Sequence, residues 1–233
     1  MTAPTAVIKV LCSNGLREAM HELGPPFERA SGCKIDIRFG QASAFKKMIE
    51  DGAEFDMAVL TPPLIDDLIR QGKIAASTRT LIARTGMGLL TRKGGPKPDI
   101  SSGHAFTRTL VGAKTIAYPS EGASGVLFLA LLDRLKLAET LKAKLRPVRN
   151  AVAVEAIVEN GEVEFGVLPI SEILSAHGIE LVAAFPREAQ DYVVMTAGLN
   201  PNGKAAAPAR DLIKHLTAST AHSILKSKGM EPG

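Results

Sequence analysis

The alternation of strand and helix signals constrains this 233-residue chain more than any other feature. Short apolar runs of strand length are each followed by a segment with apolar residues every three or four positions, which predicts an amphipathic helix. Three such pairs come first, with strands AVIKVLCS, KIDIRFG and DMAVLT, and a second set contains TIAY and EFGVLP. Because alternating strands and helices favour a parallel sheet with right-handed crossovers, we predict an α/β fold.

Two long extended stretches divide this pattern, one near residues 83–92 and one near 191–198. They predict two Rossmann-like lobes joined by two crossover strands. Lobe 1 takes residues 1–83 and 194–233, and lobe 2 takes residues 84–193. A ligand cleft is expected between the lobes, at the carboxyl ends of the strands. A single doubly wound domain is the alternative.

Proline, glycine and apolar residues set two helix boundaries. Gly24-Pro25-Pro26 is predicted to interrupt the first helix, because proline lacks the N–H that a helix interior needs. A later apolar run, VLFLALLDRLKLAETL, predicts one long helix from Val126.

The stretch TIAYPSEGASGVLF, from Thr115 to Phe128, has the composition of an anion site. It reads as a buried strand, a turn of small residues and a helix start. The first N–H groups of a helix are unpaired and the helix dipole is positive there, while Ser120 and Ser124 add hydroxyl donors. The alternative is a glycine- and serine-rich helix cap without a ligand.

Composition excludes several other classes of protein. The net charge is +4, but Lys and Arg are scattered, and the chain has no tryptophan and two tyrosines, so we expect no nucleic acid partner. Cys12 and Cys33 fall at opposite ends of the first two strands, about 15–20 Å apart, and are predicted to be free thiols. The histidines never fall at metal-ligand spacing, so we expect no metal and no cofactor.

Several motifs together resemble a known family. They are SNGLREAM, FGQASAFKKMIEDGAEFDMAVL, KTIAYPSEGASGVLF and VENGEVEFGVLPISEI. In order and spacing they are similar to the molybdate-binding type of periplasmic substrate-binding protein, which has a type II solute-binding fold. The resemblance covers essentially the whole chain. It implies a protein that closes by a hinge motion on a small anion, an oxyanion such as molybdate or a small carboxylate.

The resemblance also implies which residues bind the ligand, all of them near helix starts. In this numbering they are Ser13, Asn14, Gly15, Ser43, Ala123, Ser124, Gly125, and Ala151 or Val152. Two positions depart from the family pattern: Gly15 replaces the serine that usually precedes the leucine, and Pro169 stands near the expected tyrosine.

A subgroup with the wording ASGV and xISE is closer still and includes aconitate isomerase-like proteins. This similarity implies a second hypothesis, a cofactor-free isomerase of an unsaturated tricarboxylate that uses the same cleft, with Tyr118 as the candidate catalytic residue. A carboxylate favours an arginine partner, and Arg38, Arg84 and Arg149 are candidates, with Arg84 preferred.

Partners and location follow from the same resemblance. For a receptor it implies the membrane component of an ABC transporter as partner, and we expect a monomer. The sequence begins without a signal peptide, which predicts a cytoplasmic protein as given, or a periplasmic one if the chain is a mature form. A cytoplasmic ligand-sensing domain is a third hypothesis.

Overall fold

The computed structural model describes residues 6–233, so the expectation about the start of the chain lies outside the described residues and stays a prediction. The strands are β1 Val7–Ser13, β2 Lys34–Gly40, β3 Met57–Leu60, β4 Thr80–Arg92, β5 Ile116–Pro119, β6 Leu145–Val148, β7 Phe165–Pro169, β8 Ile179–Ala184, β9 Tyr192–Leu199 and β10 Glu231–Pro232. The α-helices are α1 Arg17–Ser31, α2 Ala42–Glu50, α3 Pro62–Arg70, α4 Gly103–Gly112, α5 Ala123–Arg134, α6 Ala138–Leu141, α7 Ala151–Glu159, α8 Ile170–Ser175, α9 Ala206–Thr217 and α10 Ser219–Ser227.

The chain divides into two compact units. Unit 1 takes the described residues up to Arg84 together with Val194–Gly233, and unit 2 takes Thr85–Val193. Strands β4 and β9 each begin in one unit and end in the other. The predicted fold class, α/β with two crossover strands, is confirmed.

Unit 1 is a sheet with helices on both faces. Strand β1 pairs in parallel with β2 and β3, and β3 pairs antiparallel with β9. Successive side chains of a strand point to opposite faces, so Val10 packs in a core with residues of α1, α9 and α10. Its neighbour Leu11 packs in a second core with residues of α2 and α3. Both faces of β1 are therefore covered.

Unit 2 repeats this layered arrangement. Strand β5 pairs in parallel with β6 and β7, while β7 and β8 pair antiparallel with β4. Tyr118 and Val167 contribute to a core with residues of α4 and α5. Ala117 and Leu168 contribute to the core on the other side, with residues of α7 and α8. The carboxyl ends of β5, β6 and β7 consequently lie at one edge, where α5, α7 and α8 begin.

The predicted interruption of the first helix is wrong. Helix α1 continues through Pro25 and Pro26 to Ser31. Both proline rings are exposed, whereas Leu23 and Phe27 are buried. The carbonyls that lose their helical donors belong to exposed residues, His21 and Glu22, where water can serve instead. Burial of the inner face outweighs the loss of the two hydrogen bonds.

The long helix predicted from Val126 is wrong at both ends. Helix α5 begins three residues earlier, at Ala123, and stops at Arg134. A turn with Lys136 at φ 56° then separates α5 from α6. The sequence analysis also missed β6, whose four residues include a proline and are only partly buried.

Both cysteines are free thiols, as predicted. Cys12 lies opposite Phe39 in the β1–β2 pair, six residues beyond Cys33 along β2. Burial raises the pKa of the Cys12 thiol well above its ordinary value.

Candidate functional site

The starts of α5 and α7 are hydrogen-bonded neighbours in unit 2. Pro119, the last residue of β5, lies opposite Val148, the last residue of β6. In the turn that follows, the Ser120 amide and hydroxyl both donate to the Val148 carbonyl, at 2.6 and 3.1 Å. The Glu121 amide donates to the Arg149 carbonyl at 3.2 Å. These bonds hold two helix amino termini side by side, and we call this pair the twin turns, residues 119–126 and 148–152.

Two glycines shape the first of the twin turns for different reasons. Gly122 caps α5 with φ at 104°, a conformation that side chains other than glycine rarely adopt. A Cβ on Gly122 would meet no atom within 4 Å, so this part of the turn is open. A Cβ on Gly125 would lie 1.8 Å from the Pro119 carbonyl oxygen. Gly125 therefore lets α5 approach the end of β5, a packing role.

The twin turns offer backbone donors that no side chain uses. No side chain caps α5, which leaves the N–H groups of Ala123, Ser124 and Gly125 for another acceptor. At α7, Asn150 Oδ1 accepts from the Ala153 amide at 3.1 Å, which leaves the N–H groups of Ala151 and Val152.

The surroundings of these donors favour an anion. Ser124 is 8% exposed, and its hydroxyl makes no hydrogen bond to any described residue. Neither helix has an acidic residue in its first turn, where carboxylates commonly offset the dipole. The nearest carboxylate in sequence is Glu121, which precedes the Gly122 cap and lies 3.6 Å from the Arg149 guanidinium.

Unit 1 has a second group of candidate donors at the ends of β1 and β2. Ser13 lies opposite Gly40 in the parallel pair, and Ser43 is exposed in the first turn of α2. The chain after Ser13 forms a short 3₁₀ turn, Asn14–Leu16. Asn14 is already engaged, because its Oδ1 accepts from the Arg17 guanidinium at 3.0 Å. No side chain caps α2.

Gly15 has room for a side chain. A Cβ there would lie 3.5 Å from the Met195 sulfur, an ordinary contact distance. The φ of Gly15 is also outside the left-handed region. Neither packing nor backbone conformation requires glycine at this position.

The structure gives the three candidate arginines different surroundings. Arg84, the preferred one, pairs with Glu231 through its Nε at 2.8 Å within unit 1. Arg149 lies at the twin turns, with its Nε 3.6 Å from Glu121 Oε2, and both side chains are largely exposed. Arg38 is exposed on β2. Arg149 is the arginine that the structure brings next to candidate donors.

Tyr118 lies directly before the twin turns, but its ring is part of the core of unit 2. It is 8% exposed and packs against Phe128 with ring centroids 5.7 Å apart. The ring is thereby fixed in place.

Two carboxylates in unit 2 have raised pKa values. Burial, and secondarily the nearby Glu155, raises the pKa of Glu172 in α8 to about 7. Burial, and secondarily Glu159, raises the pKa of Glu155 in α7. Within residues 6–233, no cationic side chain forms an ion pair with either carboxylate. These groups hold protons more tightly than ordinary glutamates do.

The described residues lack two further features. Between residues 6 and 233, no group of three or more His, Cys, Asp or Glu side chains has a geometry that could hold a metal ion. Over the same range, no helix is long and apolar enough to cross a lipid bilayer.

The α/β fold with two crossover strands is the fold of solved solute-binding proteins. The sequence profile of the bacterial extracellular solute-binding proteins matches residues 8–231, so the chain belongs to that family. It therefore has a solute-binding role, for which the family implies a small ligand and a membrane transporter as partner.

Individual relatives agree with this assignment. The chain is 29% identical to an aconitate isomerase of a Pseudomonas species, over 98% of this chain and 89% of that protein. It is 24% identical to the molybdate-binding protein ModA of Escherichia coli K12, over 80% and 74% of the two chains. The structure of the periplasmic molybdate-binding protein of Azotobacter vinelandii superposes with a TM-score of 0.79 at 18% identity, over 97% and 99% of the two chains. This last likeness shows the fold.

The sequence analysis did not identify Val126 as a site residue, and it named Val152 only as a possible backbone donor in place of Ala151. Their side chains are 66% and 70% exposed. One signal was available in the sequence: both α5 and α7 carry apolar residues on every face, which is unusual for a surface helix.

Proposed function

We propose that this protein binds a small anion at the twin turns, through the N–H groups of Ala123, Ser124, Ala151 and Val152 and the Ser124 hydroxyl. The turn-to-turn hydrogen bonds carry this proposal, since they hold two helix starts with free N–H groups side by side. An anion there gains from both helix dipoles as well as from the direct hydrogen bonds. Because the donors are fixed before the ligand arrives, little ordering is needed on binding.

Ser13 and Ser43 of unit 1 are the proposed additional donors. Both belong to turns that follow parallel strands, and Ser43 is exposed without a side-chain cap role. Asn14 and Gly15 would contribute through their backbone. In this proposal Arg84 has no direct role, because Glu231 already neutralises it.

As a receptor, the protein would deliver its anion to the membrane component of an ABC transporter. Membership in a family of extracellular solute-binding proteins supports this role, and it supports a periplasmic location. The proposed receptor is a monomer that changes shape on binding through β4 and β9.

A second candidate function, isomerisation of an unsaturated tricarboxylate, is supported by the aconitate isomerase relative. In that case the twin turns would hold one carboxylate while a proton moves at the adjoining carbon. Tyr118 is the proposed participant, since it directly precedes the turn.

Isothermal titration separates these possibilities. The panel is sulfate, molybdate, citrate, cis-aconitate and trans-aconitate, each added to the purified protein and to Ser124→Ala. We expect at least one anion to bind the parent protein, and Ser124→Ala to weaken that binding about tenfold, because a hydrogen bond to a charged group is lost. Ser223→Ala, an exposed serine on α10, is the matched control. Equal affinities for the parent and Ser124→Ala would show that the anion binds elsewhere.

Incubation with cis-aconitate then tests for an enzyme. Appearance of the trans isomer, followed by NMR, would establish isomerase activity, and Tyr118→Phe should then lose turnover while retaining affinity. Binding without conversion would leave the receptor function alone.

A further inference from the structure

The most exposed large apolar side chains of the described residues lie at the twin turns. Val152 and Val126 are 70% and 66% exposed, whereas the other exposed large apolar side chains range from 38% to 52%. Valine is not a favoured residue for a solvated first turn, where Ser, Asp and Glu are preferred. Two such valines at neighbouring helix starts therefore call for a reason other than helix formation.

Both valines belong to the first four residues of helices whose starts carry the free donors. Side chains of a helix tilt toward its amino terminus, so a residue covers the turn that precedes it. Val126 is the fourth residue of α5 and covers the level of Gly122 and Ala123, where the turn is open. Val152 is the second residue of α7 and carries one of the free N–H groups itself. Each donor set therefore has an apolar side chain beside it.

The geometry points to a small organic carboxylate as the ligand, with its carboxylate on the N–H groups and its carbon skeleton against Val126 and Val152. This inference rests on the proposed function and adds the class of ligand. An inorganic oxyanion is polar on every side, so it would leave both valines without an apolar partner. A carboxylate has one charged end and an apolar remainder, which matches donors and valines placed side by side.

Burial of apolar surface against these valines would make a measurable contribution. Each CH₂ group that leaves water favours binding by about fourfold, and the effect is roughly proportional to the area covered. Carboxylate binding should also give a negative heat-capacity change, the marker of apolar burial, while binding of sulfate or molybdate should give little.

The double variant Val126→Thr and Val152→Thr tests the inference. Threonine keeps the β-branched shape and replaces one methyl group by a hydroxyl, and both positions are exposed, so the fold is retained. We expect trans-aconitate affinity to fall about tenfold, the heat-capacity change to shrink, and the affinities of sulfate and molybdate to stay within twofold. Val111→Thr, an exposed valine on α4, should change nothing.

The outcomes separate this inference from the proposed function. If Ser124→Ala weakens binding but the double variant leaves trans-aconitate affinity unchanged, the anion site stands and the inference is wrong. The anion site also stands, and the inference is also wrong, if only sulfate or molybdate binds the parent protein. If none of these anions binds, both the site and its ligand class are overturned.

Discussion

The two units carry their candidate donors in different ways. In unit 1 the donors include the hydroxyls of Ser13 and Ser43, on turns that follow β1 and β2. In unit 2 the donors are mainly backbone N–H groups, held in place by bonds from Ser120 and Glu121 to the neighbouring turn. Exposed valines flank the unit 2 donors, and none of the large exposed apolar side chains lies at the unit 1 turns.

This difference suggests that the two units contribute differently to binding and to ligand discrimination. Hydroxyl groups rotate and accept many geometries, so the unit 1 donors suit anions in general. Fixed N–H groups beside apolar side chains suit one shape of ligand, so discrimination should lie in unit 2. Matched substitutions in the two units test this difference.

Substitution of Gly125 should change the free energy of unfolding more than any other substitution proposed here. Gly125→Ala places a methyl group against the Pro119 carbonyl oxygen, and we expect the free energy of unfolding to fall by about 3 kcal/mol or more. Gly15→Ala in unit 1 should change it by less than about 0.5 kcal/mol, because a Cβ there makes an ordinary contact. Urea unfolding monitored by circular dichroism measures both. Similar losses for the two variants would contradict the assigned packing role of Gly125.

A somewhat smaller effect is expected in the pH dependence of the free energy of unfolding. The folded-state pKa of Glu172 is raised from 4.5 to about 7, so the folded protein binds a proton more tightly than the unfolded chain does. Stability from this group is complete below pH 4.5 and is lost as pH rises through about 7, and the full loss is about 3 kcal/mol. Glu172→Gln should therefore be more stable than the parent at pH 8.5 and nearly equal at pH 5, measured by urea unfolding.

Unit 1 supplies the control for this pH effect. Hydrogen bonds and ion pairs with Lys9 and Lys204 lower the pKa of Glu54 to about 2. This group favours folding above its unfolded pKa and loses that contribution in acid, the opposite slope. Glu54→Gln should thus give no gain at pH 8.5. A gain equal to that of Glu172→Gln would show that general charge repulsion, rather than burial, sets the alkaline behaviour.

Removing one hydroxyl from each unit gives a smaller effect. Ser124→Ala should weaken anion binding about tenfold. Ser43→Ala should weaken it only about fivefold, because the Ser43 hydroxyl is exposed and water competes for it. In unit 1 the loss should be the same for sulfate and trans-aconitate. Titration calorimetry with both anions is the measurement, and a strongly selective loss in Ser43→Ala would reverse the proposed division.

The smallest change is a gain in affinity for molybdate. Gly15→Ser introduces the hydroxyl that the family pattern has at this position, and there is room for it. We expect the affinity for molybdate to rise about threefold while that for trans-aconitate stays the same. If molybdate binding falls instead, the first turn does not face the ligand in the proposed manner.

Much of the fold could be predicted because its signals are local. The periodicity of KIDIRFG or PPLIDDLIR is set by burial of one side, which the sequence displays directly. The errors came from context that the sequence does not display. Pro25 and Pro26 remain helical because their rings face solvent, and β6 exists because β5 offers it a parallel partner.

The candidate site was predictable only in part for the same reason. Ser124 and Gly122 stand out in the sequence as a small-residue turn before an apolar helix. The bonds from Ser120 and Glu121 to Val148 and Arg149 join segments about 28 residues apart, and no local pattern indicates them. Nor does the sequence distinguish a buried valine from an exposed one such as Val152.

An amide NMR titration shows which residues the anion contacts. Protein labelled with ¹⁵N is titrated with trans-aconitate and, separately, with sulfate, and the amide signals are followed residue by residue. We expect the largest shifts at Ala123, Ser124, Ala151 and Val152, and their loss in Ser124→Ala at the same ligand concentration. Saturable shifts confined to other residues, with these four amides unmoved, would contradict an anion site at the twin turns.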